Sequence, residues 1–283
     1  MKIKLYIVTY NHQEYLDKNL SSLFQSDMKS HDVEVFIINN HSNFFMKDEY
    51  LEKVTVLHNS LRPDWSTGHL TRNWNQAIIN GFQDIDNPDC DIVVHAQDDL
   101  EWSPGWVNFL VFNHQIYDFI NIGTGDAVCS YTPQAIKKIG LWDERFCAIG
   151  YHVADYHVRA VKYNSEKSSI NDIGHGRVWN PLSGNFGRFE QHQGGNENVV
   201  LAPKHDDNRK NQHDTSSLFH PYNENIFKHK WGNKNFVGNW KFNNIREIPP
   251  LINRQYVTYP YFETSFTKNG HECYEIPCKS RLG

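Results

Sequence analysis

The strongest constraint on this chain is a recurring pattern: short, β-branched apolar runs that each end in a polar cluster. Lys2–Thr9 (KIKLYIVT) runs into Tyr10-Asn11-His12, Val33–Ile38 into Asn39-Asn40-His41-Ser42-Asn43, and Asp91–His95 into Gln97-Asp98-Asp99. Val54–His58 has the same character. Runs so short and continuously apolar predict strands buried on both faces. Between them, Glu14–Phe24 carries Leu16, Leu20, Leu23 and Phe24 at helical spacing, and Thr71–Phe82 has Leu70, Trp74, Ala77, Ile78 and Phe82 for an inner face. Strands alternating with helices predict an open, mainly parallel α/β sheet covered on both sides. Ligands of such sheets gather beyond the carboxyl ends of the strands, so the polar clusters are expected to converge on one edge as a binding site.

From about Pro104 the pattern changes. Trp106–Phe119 is read as a helix, Ile122–Ser130 as a strand or turn, Pro133–Ile139 as a short helix and Val153–Tyr163 as another. Beyond about Ser165 the chain is rich in Asn, His, Gly and Lys with little periodicity, which predicts long loops, some closing over a site. With 283 residues the chain has room for a sizeable core. The expected division is one half at 3–110, a second half of the same domain at 111–235, and a C-terminal extension at 236–283.

Composition excludes several classes. A formal net charge of −5 argues against a general nucleic-acid binder. No window approaches the ~20 apolar residues of a membrane span, and the apolar stretch after Met1 is too short for a secretory signal. The five cysteines (Cys90, Cys129, Cys147, Cys273, Cys278) are scattered and odd in number, as expected of reduced thiols in a cytoplasmic chain. Between Leu201 and Ile245, seven Lys and Arg stand against four Asp and Glu. A solvated surface accounts for that segment more simply than contact with an anionic acceptor.

The strongest local signal for chemistry is Asp98-Asp99 directly after a buried strand. Two carboxylates there can hold Mn²⁺ or Mg²⁺ against a diphosphate. The plain alternative is an acidic loop before a helix, with Ser103-Pro104 as N-cap and first helical residue.

The order VTYN (Val8–Asn11), INNHSN (Ile38–Asn43), GHLTRNWNQAI (Gly68–Ile78), QDD (Gln97–Asp99), GLWDERF (Gly140–Phe146), DYHVR (Asp155–Arg159) and KHKWG (Lys228–Gly232) resembles family 2 glycosyltransferases of the GT-A fold. The resemblance spans roughly residues 3 to 232. It implies a GT-A (Rossmann-like) open mixed sheet flanked by helices, with a loop-rich C-terminal extension. It further implies transfer of a sugar from a nucleoside-diphosphate donor to an acceptor hydroxyl, on a glycan or another hydroxyl-bearing molecule.

Residue roles follow from the same resemblance. Thr9, Tyr10 and Asn11 would line the nucleoside pocket. Asn39 stands where the family usually has an Asp that pairs with uracil; its amide can still read a pyrimidine edge, and a UDP-sugar is the favoured donor. Arg72 would neutralise diphosphate charge. Gln97 and Asp98 would border the donor, with Asp98 on the ribose or behind the metal. Asp99 would be the principal metal ligand, joined by His175, with His192 and His205 as alternatives.

The family's Glu-Asp-x-Asp segment is represented by His152-Val153-Ala154-Asp155, in which only the last carboxylate survives. Asp155 is therefore the expected general base of an inverting displacement, with His152, Asp143 or Glu144 as substitutes. Pairing with Arg159 at i,i+4 is the structural alternative for Asp155. Trp142, Asp143 and Glu144 are expected in acceptor binding, the indole as a platform for a sugar ring or, equally, as core filling. Two rivals remain: a nucleotidyltransferase, although VTYNHQEY lacks the glycines that cradle a triphosphate, and a non-catalytic nucleotide- or carbohydrate-binding module.

Overall fold

The computed structural model describes residues 1–10, 12–40, 43, 45–59, 69–115, 117–122, 126–146, 151–164, 178–179, 189–191 and 221–228. The amino-terminal part contains β1 (Lys2–Thr9), α1 (Gln13–Gln25), β2 (Asp32–Asn39), α2 (Asp48–Leu51), β3 (Val54–His58), α3 (His69–Phe82) and β4 (Ile92–Gln97). After it come β5 (Leu100–Trp102), α4 (Trp106–His114), β6 (Phe119–Ile122), β7 (Val128–Tyr131) and α5 (Pro133–Ile139). The last elements are α6 (Tyr151–Asn164), β8 (Val178–Trp179), β9 (Phe189–Gln191) and a helical segment at 221–228.

Among the described residues, seven strands form one open sheet in the order β3-β2-β1-β4-β7-β6-β8. The first four are parallel, β7 runs antiparallel to β4 and to β6, and β8 is parallel to β6. This is the open, mixed, helix-flanked sheet expected of the fold class, and it is mainly parallel as the strand pattern predicts, since β7 runs against the other six strands. Each strand feeds two cores because successive side chains face opposite sides. Ile3, Leu5 and Ile7 of β1 join Leu16, Leu20 and Leu23 of α1 and Trp106, Val107 and Leu110 of α4. Tyr6 and Val8 join Trp74, Ala77, Ile78 and Phe82 of α3 on the other face, with α5 and α6.

Two local features position that second layer. In α5, Thr132 caps the helix by accepting the Ala135 N–H, Pro133 occupies the first turn, and Gly140 ends it at φ 86°. In α3, a Cβ at Gly81 would lie 2.3 Å from Val93 Cγ2, so the glycine is what lets the helix lie this close to β4.

Three expectations are corrected. The helix starting at Trp106 stops at His114, and Phe119–Ile122 and Val128–Tyr131 are two antiparallel strands of a hairpin. The intervening Gly123-Thr124-Gly125 is the turn signal that separates the two apolar runs. Ser103-Pro104 is not the start of α4, whose N-cap is Gly105 without a side-chain bond; the Pro104 carbonyl instead accepts the Asp27 N–H. No helix among the described residues is long and apolar enough to cross a membrane.

Candidate functional site

The sheet reverses its growth between β1 and β4: β2 and β3 add on one side of β1, and β4 on the other. That is the switch point at which a crevice opens beyond the strand ends. Register brings the polar clusters there. Thr9 pairs with Asn39, Asn39 with His58, and Val8 with Gln97, so Asp98 follows β4 at the level of Thr9. The expected convergence of Thr9, Asn39 and Gln97-Asp98-Asp99 on one edge is observed. Tyr10 follows at the same edge, half-buried.

The row is held together by side-chain amides, of which Asn59 lies outside the sequence motifs. Asn39 Nδ2 lies 3.1 Å from His58 Nδ1. Asn59 donates its N–H to the Asn39 carbonyl at 2.9 Å and its side-chain Nδ2 to Asn73 Oδ1 at 3.0 Å. The Asn73 amide is thereby fixed, with its Nδ2 buried and without a hydrogen-bond partner. Thr9 Oγ1 and Asp98 Oδ2 are likewise buried and unpartnered. Such atoms are rare in folded proteins and are costly unless something else satisfies them.

The acidic turn is pinned from below by α1. Asn19 donates to the carbonyls of Gln97 and Asp98 at 3.2 and 3.4 Å and accepts the Trp102 indole N–H at 2.7 Å. Asp98 and Asp99 are both buried, and His12 Nδ1 approaches Asp98 Oδ1 to 3.7 Å. Among the described residues, no three His, Cys, Asp or Glu side chains gather as a metal-ligand set. The donor set nonetheless suits a hard divalent cation, since Asp98 offers a buried carboxylate oxygen without a hydrogen-bond partner among the described residues.

Facing this edge, the first turns of α3 grip the Trp142–Glu144 turn. Asn75 Oδ1 accepts the Trp142 N–H at 2.8 Å, and its Nδ2 donates at 2.9 Å to both the Trp142 carbonyl and Glu144 Oε1. Arg72 donates from Nε to Glu144 Oε2 at 3.3 Å with most of its side chain exposed. The platform role of Trp142 is corrected: its indole is fully buried, stacked on Tyr156 at 4.2 Å, and donates to Tyr131 Oη at 2.9 Å. Asp143 is tied to the Arg145 backbone and guanidinium. The Asp143 and Glu144 carboxylates are thus both engaged within the protein.

Behind the acidic turn lies a buried polar cluster. Asp126 Oδ1 accepts from Gln97 Nε2 at 3.0 Å; its Oδ2 accepts from Trp74 Nε1 at 2.7 Å and lies 2.9 Å from His152 Nε2. Burial alone would raise this carboxyl, but the adjacent imidazole and indole bring it down to about 2. His95 stacks on Trp74 at 3.9 Å, and burial pushes its imidazole down to about 3. Asp155 sits one turn after His152 in α6 and is fully buried. The side chain of Arg159, and Asn11, His175, His192, His205, His229–Gly232 and the 236–283 extension, lie outside the described residues.

No protein-family model matches the sequence, and no curated protein sequence matches it. Solved structures do resemble the fold. S. aureus TarS 1-349 in complex with UDP-GlcNAc is 13% identical at a TM-score of 0.44, with 83% of this chain and 73% of that one covered. Mannosyltransferase PcManGT from Pyrobaculum calidifontis, in complex with GDP-Man and Mn²⁺, is 13% identical at a TM-score of 0.43, with 63% and 54% covered. S. aureus TarS 1-349 is also matched at 14% identity and a TM-score of 0.41, with 56% and 55% covered. The chain spans about half the length of the first structures it matches.

Proposed function

We propose that this chain is a metal-dependent, inverting glycosyltransferase of the family 2 type, moving a sugar from a nucleoside-diphosphate donor, preferably a UDP-sugar, to an acceptor hydroxyl. The observation that carries the reading is the set of buried, unpartnered polar atoms at the switch point: Thr9 Oγ1, Asn73 Nδ2 and Asp98 Oδ2. They supply a hydroxyl, an amide donor and a carboxylate in the crevice where sheets of this topology bind nucleotides. The motif order in the sequence supplies the reaction class.

In this reading, residues 3–110 bind the donor and 111–235 bring the acceptor and base. Thr9, Tyr10, Asn11 and Asn39 receive the nucleoside. Arg72, with most of its side chain exposed beyond its bond to Glu144, reaches the diphosphate. Asp98 and Asp99 would hold Mn²⁺ or Mg²⁺, a cation that supplies charge to balance a departing diphosphate. The acceptor oxygen attacks the anomeric carbon on the face opposite the diphosphate; the carbon–oxygen bond to phosphate breaks, and Asp155 takes the acceptor proton. Its complete burial keeps bulk water from the carboxylate, and the acceptor hydroxyl has to come within hydrogen-bond reach.

A second reading, a nucleotide- or carbohydrate-binding module, is favoured by the loss of the family segment's first two carboxylates, where this chain has His152 and Val153. Release of nucleoside diphosphate from a panel of UDP-, dTDP- and GDP-sugars with Mn²⁺ separates the two. The transferase releases it in step with glycosylated acceptor; a module binds the donor and releases nothing.

A further inference from the structure

We infer that Asp126 is a positioning residue that sets the acidic turn of β4 and the helix carrying Asp155 at a fixed separation. The inference rests on the transferase reading for its catalytic consequence, but its geometry stands on described residues. Asp126 bonds Gln97, the residue immediately before Asp98-Asp99, and with its other oxygen meets Trp74 of α3 and His152 of α6. Gln97 Nε2 and Trp74 Nε1 can only donate, so both carboxylate oxygens are committed. Three elements therefore converge on one buried side chain, itself 5% exposed.

Other contacts of α6 run through aromatic rings and the α5–α6 connection. Tyr156 stacks on Trp142 and donates to the Gly140 carbonyl at 3.1 Å, which fixes the helix to the α5–α6 connection. Trp142 lies 5.7 Å from His95 of β4 and 5.9 Å from His152, but Asp126 is the side chain that contacts both Gln97, directly before the acidic pair, and His152 at hydrogen-bond distance. Asp155 lies three residues past His152, on the neighbouring part of the same helical surface. A shift at His152 is thus passed to Asp155 within one turn. The same contacts give His152 a structural task in the core and set it apart from the base itself.

Asp126→Asn is the informative variant. Its carboxamide oxygen can still accept from Trp74, and its NH2 can face Gln97, whose own amide can turn over to accept. Size is kept while the ionised acceptor is lost. The expected result is a kcat lower by about 10- to 100-fold, the scale of a misplacement of about 1 Å, with donor KM within about twofold of wild type. Hydrogen exchange should quicken at the first turn of α6 while β1 stays protected. For His152, Gln keeps an N–H donor and should retain more kcat than Leu; this pair keeps the test decisive if Asp126→Asn does not fold. Wild-type kcat in folded Asp126→Asn, equal losses of kcat and donor affinity, or equal losses in His152→Gln and His152→Leu would each overturn the inference. If the wild-type chain turns over no donor, the transferase reading fails by itself, and unchanged exchange at α6 in Asp126→Asn remains the result that overturns the tether.

Discussion

At the scale of single residues, burial alone does not separate chemistry from scaffolding: Asp155 and Trp142 are both fully buried, and substitution tells them apart. Asp155→Asn is expected to lower turnover by about 10²–10⁴-fold with donor affinity little changed, as for loss of a general base. Parallel kinetics and calorimetry check this; full transfer in a folded variant excludes Asp155 as the base. Trp142→Ala is expected to cost about 3–5 kcal/mol in urea unfolding, because its indole is buried between Tyr156 and the sheet and bonded to Tyr131. Lost activity at unchanged stability would return the indole to the sugar site. Sequence alone left both roles open for Trp142, since a Trp in a polar turn carries no mark of the side to which it points. Asp126 was missed altogether: it is a lone acid after Gly123-Thr124-Gly125, and its partners are 26 to 52 residues away.

Among the elements, the contact of α3 with β4 is where backbone and site are most tightly coupled. Gly81→Ala would place a methyl 2.3 Å from Val93 Cγ2, a short branched side chain with no room to swing away. The helix must lift, at about 1–3 kcal/mol, carrying Asn73 and Asn75 with it. Thermal unfolding checks the stability term, and an unshifted Tm would mean that the packing is looser than the geometry says. The elements legible in sequence were those with one clear period: Lys2–Thr9 and Val54–His58 are strands as read, and the β2 and β4 runs differ by one or two residues at their ends. The 106–131 stretch was less legible. Helix α4, β6 and β7 are all apolar runs, and in the sequence the turn signal between the last two is Gly123-Thr124-Gly125. The short β5 and α2 carry too few residues to show any period.

For the molecule as a whole, two histidines that the fold keeps neutral, His95 fully buried and His114 half-buried, set the acid limit. His95 is pushed down to about 3 and His114 to about 4 by burial, from 6.5 in an unfolded chain. As pH falls below about 6.5 the unfolded chain binds protons that the folded one refuses, so stability is level above that value and declines towards pH 3. Asp126, at about 2, adds a further loss below about pH 4. Melting curves from pH 7 to 4 should show the fall, and His95→Gln should make it shallower; a flat profile would contradict the neutral imidazoles. The central claim, that the strand-end row is a metal-dependent nucleotide site, is tested most directly by calorimetric titration of UDP with and without Mn²⁺ into wild type, Asp98→Asn and Asp99→Asn. The account predicts binding in wild type that needs the metal and is weakened at least about tenfold in both variants while their melting temperatures hold, a loss of roughly 1.4 kcal/mol or more. Equal UDP affinity in all three proteins, or no nucleoside diphosphate bound under any condition, would contradict it.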